Sequence, residues 1–183
     1  MTQLHHEVII AGFGGQGVVL AGRLLAGAAL AEGREVVWAP SYGPEMRGGE
    51  VHCTVIVSSS RIGSPEVSLA DSLLTMDQTS ARRFAPRLKP GGLLVCNTTL
   101  VKELPVCDQC RLLRIPATEA AEVLGEPRAA NVVMLGAFLV EQPIVSQESL
   151  EAAIRSHGGE RHALIEANLR ALARGAELAR APG

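Results

Sequence analysis

Glu7-Val-Ile-Ile-Ala11 runs without a break into Gly12-Phe13-Gly14-Gly15-Gln16-Gly17, and then into an Ala- and Leu-rich stretch over residues 18–32. An apolar run of strand length, a glycine-dense turn and a long apolar helix form the opening half of a β-α-β unit. Gly33 supplies the helix stop. Residues 35–38, Glu-Val-Val-Trp, supply the next strand, whose continuous hydrophobicity predicts a buried parallel strand. Gly12, Gly14 and Gly17 fit G-x-G-x-x-G, a spacing that lets backbone turn tightly and leaves N–H groups at a helix start free for a phosphate. The same glycines also serve plain close packing of helix on strand, so two readings stay open at this point.

Outward from that unit, hydrophobicity collapses over residues 39–49 and returns as a strand at 51–58. A short strand at 73–76 leads to Asp77 as N-cap of a helix over 78–88, and Lys89-Pro90-Gly91-Gly92 reads as a turn. Strands follow at 93–96 and 112–115, and helices at 118–125, 131–141 and 147–157, the last capped by Ser146. Over residues 160–181, Ile165, Leu169, Leu172, Ala176 and Ala179 line one face, and Glu166, Arg170, Arg174 and Glu177 the other. The expected fold is α/β, an open, mostly parallel Rossmann-like sheet with helices on both faces and a helical C-terminal third. Residues 1–183 read as one domain.

Composition narrows the function. With 17 basic and 19 acidic residues the formal charge is −2, which argues against a nucleic-acid scaffold. Aromatic content is 3%, too little for a base-stacking platform or a sugar cleft. Hydrophobic residues make up 47%, enough for an aliphatic core. The longest apolar stretch, residues 18–31, is broken by Arg23 and falls short of the roughly 20 residues a bilayer requires, so no membrane role is expected. No secretory pattern is visible and four Cys make no disulfide framework, so a cytoplasmic, reducing setting is expected.

The second informative stretch is Ser41-Tyr42-Gly43-Pro44-Glu45-Met46-Arg47-Gly48-Gly49, which follows strand two. In an open parallel sheet, loops at the C-terminal strand ends line the ligand crevice, so this loop is expected beside the glycine turn. Arg47 is suited to clamp a phosphate or carboxylate, with Ser41 and Tyr42 as neutral donors. A nicotinamide enzyme would place an acid at the end of strand two to hold the ribose, and Trp38-Ala39-Pro40 stands there instead.

The glycine turn and this loop together resemble the gamma subunit, or gamma domain, of the 2-oxoacid:ferredoxin oxidoreductases, a family that includes pyruvate, 2-oxoglutarate, branched-chain 2-oxoacid and indolepyruvate enzymes. Asn131-Val132-Val133-Met134-Leu135-Gly136-Ala137 resembles a third family element, an Asn opening a helix that carries Leu-Gly-Ala, and the resemblance covers about residues 7–141. It implies a complex that oxidatively decarboxylates a 2-oxoacid, 2-oxoglutarate or pyruvate foremost, to its acyl-CoA. Thiamine diphosphate, Mg2+ and iron–sulfur clusters would sit in alpha and beta subunits, with a delta subunit as a further partner and ferredoxin as electron acceptor. This chain would form part of the coenzyme A and active-site wall and would be inert alone. By position, Gly12, Gly14, Gly15, Gln16, Gly17, Ser41, Tyr42, Gly43, Glu45, Arg47, Gly48, Gly49 and Asn131 would line that wall, with no catalytic residue or metal ligand of its own. The rival readings are a non-catalytic nucleotide- or phosphate-binding module of the same fold, and the small subunit of indolepyruvate oxidoreductase.

The remaining reactive side chains read blandly. Cys107-Asp108-Gln109-Cys110 has the spacing of half a metal site or a redox pair, but Cys53 and Cys96 lie on separate strands, so unpaired thiols are the expectation. His52 reads as a strand residue beside the loop and His157 as a favourable charge at a helix end. Residues 132–140 are almost wholly apolar and read as core, with a partner surface as the rival.

Overall fold

A computed structural model describes residues 4–41, 49–107 and 109–181. Its strands are β1 (His5–Phe13), β2 (Glu35–Ser41), β3 (Glu50–Ser58), β4 (Ala70–Thr75), β5 (Leu88–Asn97) and β6 (Arg111–Ile115). Its helices are α1 (Val18–Ala31), α2 (Gln78–Phe84), α3 (Ala117–Val123), α4 (Ala130–Glu141), α5 (Gln147–Gly158) and α6 (His162–Arg180). One sheet carries all six strands in the order β2-β3-β1-β4-β5-β6. β1, β4, β5 and β6 are mutually parallel, and β3 runs antiparallel between β1 and β2.

Alternation along the strands builds two apolar layers. Val8, Ile10, Val55, Leu74 and Val95 face α1 and the helices from α3 onward, whereas Ile9, Ala11, Ile56, Leu73 and Leu94 face α2 through Ala81 and Phe84. The expected open, mostly parallel sheet with helices on both faces and a helical C-terminal third is therefore present. No helix among the described residues is long and apolar enough to cross a membrane.

Local chemistry explains the element ends. Gly33 has φ 72°, Gly33 N donates to the Leu30 carbonyl at 3.0 Å, and Arg34 N donates to the Ala29 carbonyl at 3.1 Å, so a left-handed glycine closes α1. Asp77 caps α2 by accepting from Thr79 N at 2.9 Å and Ser80 N at 3.1 Å. Ser146 caps α5 by accepting from Ser149 N at 3.1 Å.

Four expectations need correction. β2 is not a buried parallel neighbour of β1. It is an edge strand paired antiparallel with β3, because the chain returns through β3, which takes the place beside β1. α2 ends at Phe84 instead of continuing to residue 88, because Pro86 lacks the N–H that another helical turn needs; a 3-10 turn over Ala85–Arg87 follows. The expected turn at 89–92 is a bulge inside β5, where Gly91 takes φ 78° and the register to β4 shifts between Ala70↔Leu88 and Ser72↔Leu93. Cys107 and Cys110 are not free thiols but a disulfide, since a turn with Cys110 N donating to the Cys107 carbonyl at 3.4 Å brings their Cα atoms to 5.5 Å.

The C-terminal helices pack through missing side chains. A Cβ on Gly136 of α4 would be driven into the Leu172 carbonyl oxygen, and one on Gly175 of α6 into the Val133 carbonyl oxygen. Backbone therefore lies on backbone where the two helices cross. This also rotates the buried face of α6. Asn168, Ala171 and Gly175 are buried beside Ile165, Leu172 and Ala176, while Leu169 and Ala179 are only partly covered. Residues 132–139 are buried inside the fold, as core.

At the edge where the parallel strands begin, Lys89 Nζ lies 2.8 Å from Glu7 Oε2 and 2.9 Å from Asp71 Oδ1, while Asp71 Oδ2 accepts from Glu7 N at 2.8 Å. Burial alone would raise the Asp71 carboxyl, but the Lys89 ammonium, the Glu7 N–H and nearby His6 hold it below the ordinary carboxylate range. Burial opposes the charge of Lys89 as well, and its bonds to Glu7 and Asp71 hold it above the ordinary lysine range. His6, buried and 2.9 Å from Ser72 Oγ, is lowered chiefly by burial.

Gly136→Ala or Gly175→Ala should lose about 1–3 kcal/mol in urea denaturation or fail to fold, as overpacking does. Gly27→Ala, whose Cβ would make an ordinary 3.7 Å contact with Ala153, should gain about 0.5–1 kcal/mol through helix propensity. On acidification, stability should fall first below pH 6.5, where the unfolded chain protonates His6 ahead of the folded one, and again through the carboxylate range as Asp71 is protonated. Lys89 contributes in the opposite sense, with stabilisation that fades as pH rises past its ordinary 10.5 and through its raised value. Lys89→Met should flatten the Asp71 limb; an unaltered pH profile of the urea midpoint would contradict this.

Candidate functional site

β1 ends at Phe13 and the chain turns through Gly14, Gly15 and Gly17 before α1 begins. Gly15 has φ 100° and Gly17 φ 74°, both costly for any residue with a Cβ. Gly12 meets a different limit: a Cβ there would come 2.9 Å from Met76 Cβ and 2.9 Å from Val18 Cγ2. Gln16 folds its side chain back across this strand end. Its Oε1 accepts from Phe13 N at 2.9 Å and its Nε2 donates to the Met76 carbonyl at 3.4 Å.

β1 leads into α1 on one face of the sheet and β4 leads into α2 on the other, so the crevice between the ends of β1 and β4 is the topological switch point. In a dinucleotide fold a pyrophosphate sits there. In this chain the Gln16 amide bridges the crevice, and the open space lies instead over the turn on the α1 and β3 side. It is a cavity of about 300 Å³ lined by Phe13, Gly14, Gly15, Gly17, Val18, Val19, Leu20 and Val51. Among the described residues no side chain caps the α1 N-terminus, so its first N–H groups lack an intrahelical or side-chain partner.

The two motif loops meet. Gly14 N donates to the Gly49 carbonyl at 3.0 Å, which fastens the glycine turn to the start of β3. Ser41, exposed at the end of β2, stands in register with His52. Tyr42, Gly43, Glu45, Arg47 and Gly48 fall outside the described residues. Asn131, near the start of α4 and 2% exposed, donates from Nδ2 to the Gly17 carbonyl at 2.9 Å. That carbonyl also accepts from Ala21 N at 2.9 Å. Asn131 Oδ1 is buried with no hydrogen-bond partner among the described residues, and a Cβ on Gly17 would lie 2.8 Å from Asn131 Cγ.

Several contributors escaped the sequence reading. Asn97, wholly buried at the end of β5, donates from Nδ2 to the Met76 carbonyl at 3.1 Å and to Thr118 Oγ1 at 2.9 Å, and accepts from Thr118 N at 3.3 Å. Gln78 Oε1 accepts from Lys102 N and Glu103 N, both at 2.9 Å. The available signal was an amide directly after the apolar run of β5, the position where an open sheet presents its ligand-facing residues. Glu50, the acid in register with the end of β1, is paired with Arg83 at 2.8 Å. His52 is half-buried with its ring 4.8 Å from Phe84, and burial together with Arg87 and Arg83 lowers its pKa, so it is neutral near pH 7.

The arrangement presents backbone N–H groups, amides and an apolar wall, with no charged side chain at its centre among the described residues. Among the described residues no three His, Cys, Asp or Glu side chains come together as a metal cluster would require.

The family described as pyruvate ferredoxin/flavodoxin oxidoreductase matches residues 7–178. The chain belongs to this family. Ketoisovalerate oxidoreductase subunit VorA of Methanothermobacter thermautotrophicus is 41% identical over 175 residues, covering 95% of this chain and 36% of the relative. The chain thus spans about a third of that relative's length. 2-Oxoglutarate synthase subunit KorC of Methanocaldococcus jannaschii is 37% identical over 186 residues, covering 98% of this chain and 96% of the relative. The crystal structure of a keto/oxoacid ferredoxin oxidoreductase gamma subunit from Geobacter sulfurreducens superposes with a TM-score of 0.83 at 34% identity, covering 95% of this chain and 98% of that one. The family match extends beyond the three motifs into α6, whose close crossing with α4 carries Asn131 to the turn.

Removing the Gln16 bridge should be measurable without any ligand. Gln16→Ala should cost about 1 kcal/mol in chemical denaturation, for one exposed and one part-buried hydrogen bond lost. Asn131→Ala should change global stability less, because it also removes an unpaired buried oxygen, yet amide exchange at Ala21 should quicken. Unchanged exchange at Ala21 would show that Asn131 does not hold the Gly17 carbonyl.

Proposed function

We propose that residues 1–183 act as one gamma-type domain of a 2-oxoacid:acceptor oxidoreductase complex, forming the wall along which coenzyme A reaches the reacting centre. The observation that carries this reading is the junction of the two motif loops at one end of the sheet, with Gly14 N bonded to the Gly49 carbonyl at 3.0 Å. Family membership supports the reaction class, and the near full-length match to a 2-oxoglutarate synthase subunit supports 2-oxoglutarate as the first substrate to test. The ketoisovalerate relative makes 2-oxoisovalerate the rival, with pyruvate as a further candidate.

The described residues fit part of coenzyme A. The cavity of about 300 Å³ is too small for the whole molecule but suits a pantetheine arm against Val18, Val19, Leu20 and Val51. The first N–H groups of α1, which Gly17 leaves without a side-chain cap, suit a phosphate or a thioester oxygen. In this proposal Ser41, Tyr42 and Arg47 complete the rim, Arg47 as the phosphate clamp, while Gly43, Glu45, Gly48 and Gly49 shape the loop. Thiamine diphosphate with Mg2+ and iron–sulfur clusters, held by alpha and beta subunits, would supply the decarboxylation and the one-electron steps to ferredoxin. The residues of this chain bind and orient the acyl acceptor and exclude water from its path.

Co-purification from the native host should yield thiamine- and cluster-bearing chains, and a panel of 2-oxoacids should select the substrate. In that complex Arg47→Ala should raise the KM for coenzyme A about tenfold, the loss of roughly 1.4 kcal/mol of binding, and leave the KM for the 2-oxoacid unchanged. Unaltered coenzyme A kinetics would remove Arg47 from the rim.

A further inference from the structure

Four cysteines divide into two classes. Cys53 and Cys96 are wholly buried and free, and burial pushes the Cys53 thiol up to about 12, so these two are inert. Cys107 and Cys110 are bonded to each other, partly exposed, and lie just before β6, at the sheet edge opposite the glycine turn.

We propose that Cys107 and Cys110 are a reversible dithiol–disulfide pair, a redox-exchange site separate from the coenzyme A wall. Three observations point the same way. Their separation of three residues closes a very small ring, so opening it releases little chain entropy and the fold is not held by the bond. The segment keeps its place by other means, since Gly91 N donates to the Gln109 carbonyl at 2.6 Å and tethers it to the β5 bulge. Access is already built: a cavity of about 320 Å³ between Pro86, Leu88, Lys89 and Val106 opens on Cys107, and Val106 is 87% exposed.

Exchange follows ordinary thiol chemistry. An external thiolate attacks one sulfur of the pair, forming a mixed disulfide and releasing the other cysteine as a thiolate that takes a proton from water. A second external thiolate attacks the mixed disulfide, leaving two cysteine thiols and one external disulfide. Two electrons pass to the protein, and a disulfide such as oxidised glutathione takes them back in the reverse sequence.

The test uses the full folded chain in glutathione buffers of graded ratio, quenched by alkylation and read by peptide mass spectrometry. Cys107 and Cys110 should gain and lose label together along one two-electron curve, with Cys53 and Cys96 unlabelled until the chain is unfolded. The double variant C107S/C110S should keep its Tm within a few degrees. A bond that resists excess dithiothreitol until the fold is lost, thiols that never pair under excess oxidised glutathione, or a large fall in Tm of the double variant would each overturn the proposal.

Discussion

The carbonyl of Gly17 joins the two halves of the molecule. It accepts from Ala21 N, which closes the first turn of α1, and from Asn131 Nδ2, which reaches it from a helix 114 residues later. The second bond forms only if α4 lies close to the glycine turn, and α4 in turn is placed by α6. Gly136 and Gly175 let those helices cross with backbone against backbone, leaving no room for even one methyl group between them. The price of the arrangement is visible at Asn131 Oδ1, a buried acceptor with no donor among the described residues, for which about 1–3 kcal/mol is the usual cost. A local feature of the first helix thus depends on packing in the last.

Scarcity of aromatics takes its structural meaning here. Among the described residues Phe84 and Phe138 are the aromatic side chains buried almost completely, Phe84 on the α2 face, and the layer around Phe138 is filled mainly by Ala, Val, Leu and Ile. Short side chains set helix separations by backbone contact, which holds position tightly and offers few alternative rotamers. That suits the proposed wall, which has to hold N–H groups still. The opposite face is thinner, with seven-residue α2 and two loops, and there polar side chains such as Gln78 and Arg87 bind loop backbone where helices would otherwise pack.

What was legible in the sequence was mainly local. The β1–turn–α1 unit, the caps at Asp77 and Ser146 and the stop at Gly33 depend on neighbours a few residues apart, and each is present as read. Strand order is not local: residues 35–41 and 51–58 are both short apolar runs, and nothing in their periodicity says that the later one lies against β1. At the site, Gly17 and Asn131 were legible as motif members, but their mutual bond was not, because it depends on a helix crossing set by glycines in two distant segments. Asn97 was missed because one amide after an apolar run looks like the end of a strand. Pairing of Cys107 with Cys110 depends on turn geometry that the spacing permits without requiring.

The two ends of the sheet differ in the kind of polarity they carry. At the edge where the parallel strands begin, Glu7, Asp71, Lys89 and His6 are charged or titratable and are held by one another. At the other edge, the groups that fix the turn are Gln16, Asn97, Thr118 and Asn131, all neutral, and apart from the bond between Asn97 and the Thr118 hydroxyl their bonds run to backbone carbonyls and N–H groups. Amides keep the same hydrogen-bonding pattern across the physiological pH range, so the geometry of the turn does not follow the protonation of its supports. His52, the half-buried imidazole closest to this edge in register, is itself biased to the neutral form by burial and two arginines. An edge of this kind keeps its donors and its apolar slot fixed as pH changes, which is the property the proposed wall needs and a general acid or base cannot have.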